Sequence, residues 1–195
     1  DSFTTTADGG TLLRASIAVV DHVNGNNHPA DLPTLESTID IRVRGNSSRY
    51  FDKHSYLIKT LTDNGASSRD VAMLGMHEFD EWALYGPYLD KSLIRNYMWY
   101  NLAGELMDYA PNVRFCEVLL NGEYQGLYVM TETINSAVDA RLKLTEPSKD
   151  TIQTSYALRL DRGSGNDVRN IETFSQYALR NLQDMDIVYP GTKWL

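Results

Sequence analysis

The stretch Ile39-Asp40-Ile41-Arg42-Val43-Arg44-Gly45-Asn46-Ser47-Ser48 decides how the surrounding chain folds. Apolar residues alternate with charged ones up to Arg44, and this period of two is typical of a strand that buries one face. A glycine, an asparagine and two serines then interrupt the pattern with residues that favour turns. The stretch therefore predicts a half-buried strand whose polar face carries Arg42 and Arg44 and which ends in a turn.

Further strands are predicted on both sides of this stretch. The dipeptide Asn121-Gly122 lies between two apolar runs and favours a tight hairpin, because both residues tolerate the left-handed backbone that matches strand twist. The predicted strands are Ile17 to Val20, Ser55 to Lys59, Phe115 to Leu120, Gly126 to Glu132 and Tyr156 to Leu160.

Two helices are predicted. The longer runs from Asp90, a candidate N-cap, to Met107, and its apolar residues recur every four positions. This stripe, expected to pack on the sheet, contains Ile94, Met98, Leu102 and Leu106. Near the helix start, Arg95 is expected to brace a loop carboxylate such as Asp80. A shorter amphipathic helix is predicted from Phe174 to Leu182.

Strands, one long helix, a hairpin and a further strand favour an α+β fold with an antiparallel sheet. The length of 195 residues fits one domain, or one large lobe with an extension. The single cysteine, Cys116, excludes an internal disulfide, and its position in an apolar strand indicates a buried, unreactive thiol.

Charge and composition exclude several kinds of partner and site. The formal net charge is −8, so the surface as a whole repels nucleic acid and anionic lipid. No apolar run is long enough to cross a bilayer, and no basic-then-apolar leader opens the sequence. Four scattered histidines and one cysteine do not have zinc-ligand spacing.

The turn residues Arg44-Gly45-Asn46-Ser47-Ser48 have the composition of an anion cradle. Glycine allows close backbone approach, the small polar residues supply donors, and an arginine can bind phosphate oxygens with two nitrogens. Lys59 follows fourteen residues after Gly45, a strand further along, where a kinase-type lysine contacts phosphates. The alternatives are an ordinary hairpin turn and a solvated lysine.

Three acidic residues are weaker candidates for the same chemistry. Glu105 on the long helix is a possible partner of Lys59. Glu132 ends an apolar strand that, in a kinase, would lead into the adenine-reading segment; the alternative is that this strand is simply the second strand of the hairpin. Asp161 either binds a metal or faces solvent.

The motifs together resemble the CotH kinase family, over about residues 36 to 190. The segment from Arg42 to Ser48 resembles its Arg-Gly-Asn-Ser-Ser signature, and Lys53 to Lys59 resembles its lysine-bearing strand, with His54 and Ser55 departing from the pattern. The order and spacing of further matches agree: Leu74 to Met76, Asp80, Trp82, Leu84, Asp90 to Asn96, Asn121 to Tyr128, and Glu132.

The resemblance implies an atypical protein-kinase-like fold whose N-lobe-like sheet and long helix lie in residues 36–195, with residues 1–35 as an N-terminal extension and first strand. It implies ATP with magnesium or manganese, a coat, secreted or surface protein as substrate, and a secreted, cell-surface or spore-coat location. The residues expected at the nucleotide are Arg44, Gly45, Asn46, Ser47, Ser48, Lys59 and Glu132.

The family's catalytic-loop aspartate and its Trp-Asp-x-Asp metal motif are not found in this sequence. No tryptophan among Trp82, Trp99 and Trp194 is followed by aspartate. We therefore expect the C-lobe to lie beyond this segment and to be a partner of it, and we expect no phosphoryl transfer by the segment alone. Two alternatives stay open: a structural coat or surface module that lost the chemistry, and a carbohydrate- or protein-binding module.

Overall fold

The computed structural model describes residues 11–134, 141–145, 147–148, 150, 154–160 and 185–189. The chain divides into two compact units, Asp1–Ile134 and Asn135–Leu195. The helix predicted from Phe174 to Leu182, and Asp161, lie outside the described residues. The first strand, Leu13–Val19, joins the same sheet as the strands after residue 35, and the family boundary predicted between residues 35 and 36 stays a prediction.

The first unit contains a six-stranded sheet in the order β1-β2-β3-β4-β6-β5, with every neighbouring pair antiparallel. The strands are β1 Leu13–Val19, β2 Leu35–Arg44, β3 Ser55–Leu61, β4 Glu81–Tyr85, β5 Val113–Leu120 and β6 Glu123–Glu132. The helix α1, Arg95–Leu106, lies between β4 and β5 in the chain. The α+β class is confirmed, while the likeness to a kinase N-lobe stays a prediction.

The sheet buries one face of its central strands almost completely. Ile58 of β3 and Trp82 of β4 are paired in register and are 1% and 0% exposed. The long segment between β3 and β4 adds apolar side chains to this core, and Trp82 Nε1 donates to the Phe79 carbonyl at 3.0 Å. The core side chains of this face are Ile39, Ile41, Val43, Tyr56, Ile58, Met73, Met76, Phe79, Trp82, Leu84, Tyr128 and Met130.

The predicted hairpin is confirmed as β5 and β6. Asn121 and Gly122 have φ values of 52° and 83°, the left-handed conformations that a two-residue hairpin turn requires. The strands pair directly from Val113 with Thr131, with one irregularity beside Val118.

The strand β4 was missed because its sequence, Glu81-Trp82-Ala83-Leu84-Tyr85, has no alternation. Trp82, Ala83 and Leu84 are all buried, because β4 lies inside the sheet and is covered on both faces. A short continuous apolar run of this kind does not distinguish a strand from other buried segments.

The predicted packing of the long helix is wrong. The helix begins at Arg95 rather than Asp90, and its four stripe residues, Ile94, Met98, Leu102 and Leu106, are 48%, 44%, 42% and 76% exposed. The helix instead turns Tyr97, Tyr100 and Ala103 inward, all half-buried. Tyr97 stacks on Phe115 of β5 with ring centroids 4.3 Å apart. Apolar and aromatic residues occur all round this helix, so spacing alone did not identify the packed side.

The second unit contains one described pair of strands. β7, Ala157–Leu160, and β8, Met185–Tyr189, are antiparallel, which confirms the strand predicted from Tyr156 to Leu160. None of the helices formed by the described residues has the length and apolar character needed to span a membrane.

Two leucine-to-alanine variants test this account of the core. Leu84→Ala, at a 5% exposed side chain, is expected to lower the free energy of unfolding by about 2–5 kcal/mol. Leu102→Ala, on the exposed side of α1, is expected to change it by less than about 0.5 kcal/mol. Urea denaturation of both variants measures the difference, and a Leu102→Ala cost as large as that of Leu84→Ala would contradict the packing described.

Candidate functional site

The two strands that flank the predicted anion cradle place its cations on one face of the sheet. β2 and β3 are antiparallel, with Arg44 opposite Ser55 and Asp40 opposite Lys59. Directly opposite residues project to the same face, and so do residues two apart along a strand. Arg42, Arg44 and Lys59 therefore lie on one face, opposite the apolar core, with Lys59 four residues further from the turn than Arg44 in the register; the predicted strand pair is confirmed.

The turn between these strands is compact. Gly45 has φ +124°, in a region that other residues rarely adopt, and a Cβ atom there would overlap the Ser48 hydroxyl. Ser47–Tyr50 then form a short 3₁₀ turn. Glycine at position 45 thus lets the Ser48 hydroxyl lie close against the backbone at the end of β2.

Lys59 forms an ion pair with the neighbouring strand. Its Nζ lies 3.0 Å from Oε2 of Glu81, which is directly opposite in the register of β3 and β4. The other carboxylate oxygen, Oε1, accepts a hydrogen bond of 2.8 Å from the Thr133 hydroxyl, just after β6. Both oxygens of Glu81 therefore have defined partners.

The same face carries a row of alternating charges across four strands. Arg14 of β1 lies 2.6 Å from Asp40 of β2, Asp40 is opposite Lys59, and Lys59 pairs with Glu81. Opposite charges on adjacent strands stabilise a sheet modestly, by a few tenths to about 1 kcal/mol per pair. Lys59 is thus flanked in register by acidic residues on both neighbouring strands, and its ion pair is with Glu81.

The environment of Glu81 favours its ionised form. Burial by itself would raise the pKa of this carboxyl, but the hydrogen bonds from Lys59 and Thr133, with the charges of Lys59 and Arg42, hold the pKa below its ordinary value. Glu81 is therefore a fixed negative charge beside Lys59 at neutral pH.

Glu132 is a predicted nucleotide residue that projects to the opposite face of the sheet from Arg44 and Lys59. It is opposite Trp82 in register and so projects to the core face, where it is 6% exposed. Its Oε1 accepts the Asn112 backbone N–H at 2.8 Å, an interaction that anchors the chain just before β5.

The remaining candidates have local structural explanations. Asp90 Oδ2 accepts the backbone N–H of Arg95, the first helical residue, at 2.9 Å, and Arg95 Nε lies 3.6 Å from Asp90 Oδ1. Arg95 therefore pairs with Asp90, whereas Asp80 was the predicted partner.

Burial raises the pKa of the Cys116 thiol to about 12, although a hydrogen bond with the Met130 backbone acts in the opposite direction. This agrees with the prediction of an unreactive thiol.

A cavity of about 100 Å³ lies beside the turn. It is lined by Ser48, Phe51, Lys53, Ser55, Tyr85, Gly86, Tyr88 and Leu89. Pockets that enclose a small-molecule ligand are typically about 300–1,000 Å³, so this cavity could hold a single phosphate-sized group but not a nucleotide. A nucleotide bound here would lie largely on an open face.

The residues present fit one part of the ligand that the resemblance implies. Arg44 adjoins the small polar turn, and Arg42 and then Lys59 follow at increasing distance from it along the same face, a set of cations that suits phosphate oxygens. A metal is different: within the described ranges, no group of three or more His, Cys, Asp or Glu residues could hold one. The described part of the chain therefore fits the phosphates but supplies no metal centre.

Glu81 and Thr133 are the residues that the sequence did not reveal. Glu81 follows an irregular segment and begins a strand that lacks alternation, and Thr133 lies past the end of β6. The pairing of β3 with β4 brings Glu81 to Lys59, and the pairing of β4 with β6 brings Thr133 to Glu81.

Paired glycine variants test the conformation of the turn. In Gly45→Ala, the new Cβ atom would sit on a residue with positive φ and overlap the Ser48 hydroxyl. In Gly25→Ala, the backbone has a similar φ of +130°, but the new Cβ atom would meet no other atom within 4 Å. We expect a cost of about 1–3 kcal/mol for Gly45→Ala, well above that of Gly25→Ala, together with amide shifts confined to residues near the turn. Urea unfolding and NMR spectra measure both, and equal costs would contradict the close contact.

The pH dependence of stability tests the environment of Glu81. Since its pKa is lowered on folding, the ionised carboxylate stabilises the fold above about pH 4.5, and this contribution is lost as the pH falls through the folded-state pKa. The stability difference between the wild type and Glu81→Gln is expected to shrink over that acidic window. Glu105→Gln, at an exposed position, serves as the control and should show little such change; identical profiles for both variants would contradict the pairing.

Comparisons with known proteins bear on the family. A family model described as CotH kinase protein matches residues 41–188, well over half of the chain. The inner spore coat protein H of Bacillus subtilis (strain 168) is 32% identical over 108 residues, which cover 55% of this chain and 27% of that protein. The match thus spans about a quarter of that relative. The chain belongs to the CotH kinase protein family.

Proposed function

We propose that this chain provides the phosphate-binding face of a CotH-family protein kinase that uses ATP to phosphorylate spore coat proteins. The observation that carries the proposal is the common face of Arg42, Arg44 and Lys59, which begins at the turn at Gly45 and continues along β2 and β3 to Lys59. The family match and the likeness to a spore coat protein support the wider context.

The charge distribution supports phosphate as the ligand. The whole chain carries a net charge of −8, so a general attraction for anions is absent. Arg44 is exposed at the end of β2, and Lys59 is 43% exposed along its side chain, so both remain accessible to a ligand. In this proposal Arg44 binds phosphate oxygens with two nitrogens and Lys59 contributes a single point charge.

The remaining chemistry is proposed to come from elsewhere in the protein. Magnesium or manganese, when bound, would neutralise charge on the transferring phosphoryl group. The sequence lacks the family's Trp-Asp-x-Asp motif, and the described residues form no metal cluster. This chain is accordingly assigned binding and orientation of the nucleotide, with no step through the metal.

The partner within the protein is proposed to be the remainder of the kinase-like domain. The side of α1 that carries Ile94, Met98 and Leu102 is between 42% and 48% exposed, although these side chains are apolar. An apolar face of this kind is typical of a surface covered by further protein. The relative has about four times the length of its matched region, which is consistent with additional chain in family members.

ATP binding by the chain tests the proposed site. We expect weak binding, because the opposite wall is absent from the described face, and we expect Lys59→Ala and Arg44→Ala each to weaken it about tenfold or more. Arg114→Ala is the matched control: Arg114 is also exposed but lies opposite Met130, on the other face of the sheet. Isothermal titration calorimetry at low salt measures the affinities.

Two results would contradict the proposal. An effect of Arg114→Ala equal to that of Arg44→Ala would indicate non-specific attraction, and a wild type that binds no ATP would remove the site altogether. Incubation with radiolabelled ATP tests catalytic activity separately from binding. We expect the full-length protein to transfer labelled phosphate to a coat protein and this chain alone to transfer none. A full-length protein that binds ATP without transferring phosphate would favour the structural coat module instead.

A further inference from the structure

We propose that Glu81 is the positioning residue for Lys59, and that it holds the lysine ready for phosphate independently of the position of helix α1. The inference rests on the proposed function, because it assigns the acid that orients the proposed phosphate-binding lysine. Protein kinases take this acid from a helix, whose movement makes or breaks the ion pair and so controls activity. Here the acid lies on a strand.

The register of the sheet makes the pair obligatory. Lys59 and Glu81 are directly opposite, and the next pair in the same ladder, Ile58 with Trp82, is fully buried on the other face. A shift by one residue would turn Trp82 toward the polar face and Glu81 into the core. The core therefore fixes the Lys59–Glu81 pair, and no local rearrangement of a helix is needed to form it.

Glu81 itself is oriented by Thr133, just past the end of β6. Its Oε1 accepts the Thr133 hydroxyl at 2.8 Å while Oε2 faces Lys59 Nζ at 3.0 Å. The backbone N–H of Thr133 also donates to the Glu81 carbonyl at 3.4 Å. The lysine is thus connected through Glu81 to the segment that follows β6.

The helix offers no comparable acid in its described contacts. Glu105 is the one acidic residue between Arg95 and Leu106, and it is exposed. Among the described residues, the ion pair of Lys59 is formed with Glu81 and none is formed by Glu105. The stacking contact of α1 is to β5, through Tyr97 and Phe115, rather than to β3.

The direction of change in ATP affinity separates positioning from simple proximity. If Glu81 were only a nearby negative charge, Glu81→Gln would remove repulsion and tighten ATP binding. If Glu81 orients Lys59, the same variant weakens binding, and we expect about tenfold. Glu105→Gln removes the same charge from α1 and is expected to leave the affinity unchanged within about twofold.

Two further variants sharpen the binding experiment. Glu81→Gln combined with Lys59→Met should bind ATP no more weakly than Lys59→Met alone, since both changes remove one interaction. Glu81→Asp should recover part of the affinity lost in Glu81→Gln. Unchanged or tighter binding in Glu81→Gln, or loss of binding in Glu105→Gln instead, would overturn the inference.

A second readout keeps the inference separate from the proposed function. The rate at which acetic anhydride acylates Lys59, followed by mass spectrometry, reports the ion pair without nucleotide. We expect this rate to change several-fold in Glu81→Gln and not in Glu105→Gln, with Lys91 as the internal reference. If the wild type binds no ATP, the proposed function fails, and the labelling alone then decides the pairing: equal rates in the two variants overturn it.

Discussion

The pairing of β3 with β4 is the constraint on which the rest of the first unit depends. Ile58 and Trp82 lie side by side in the core, and their burial leaves one register for the two strands. That register decides which side chains reach the polar face, and it brings Lys59 opposite Glu81. Packing on one face of the sheet thereby sets the electrostatics of the other, so that a mutation in the core would also disturb the charged site.

The sequence predicted those features that depend on local pattern. Alternation identified β2 and the polar face that carries Arg42 and Arg44, and Asn121-Gly122 identified the hairpin. It did not predict β4, because a strand covered on both faces loses its alternation. Glu81 was missed for the same reason, since its contact with Lys59 depends on a pairing between strands separated by an irregular segment.

The helix shows a different limit of inference from sequence. Its apolar residues surround the axis, so two different stripes could have packed on the sheet, and the aromatic pair Tyr97 and Phe115 decided between them. The other stripe remains exposed, at Leu102 among others. Glu132 was likewise assigned from strand order, although strand phase directs its side chain to the core.

The face around Gly45, Arg44 and Lys59 is the centre of this account, and a crystal structure with a non-hydrolysable ATP analogue tests it most directly. The account predicts phosphate density between the Ser48 turn and Lys59 Nζ, with the Lys59–Glu81 pair retained and α1 unchanged. Phosphate density on the opposite face, or an analogue bound without contact to Arg44 or Lys59, would contradict it.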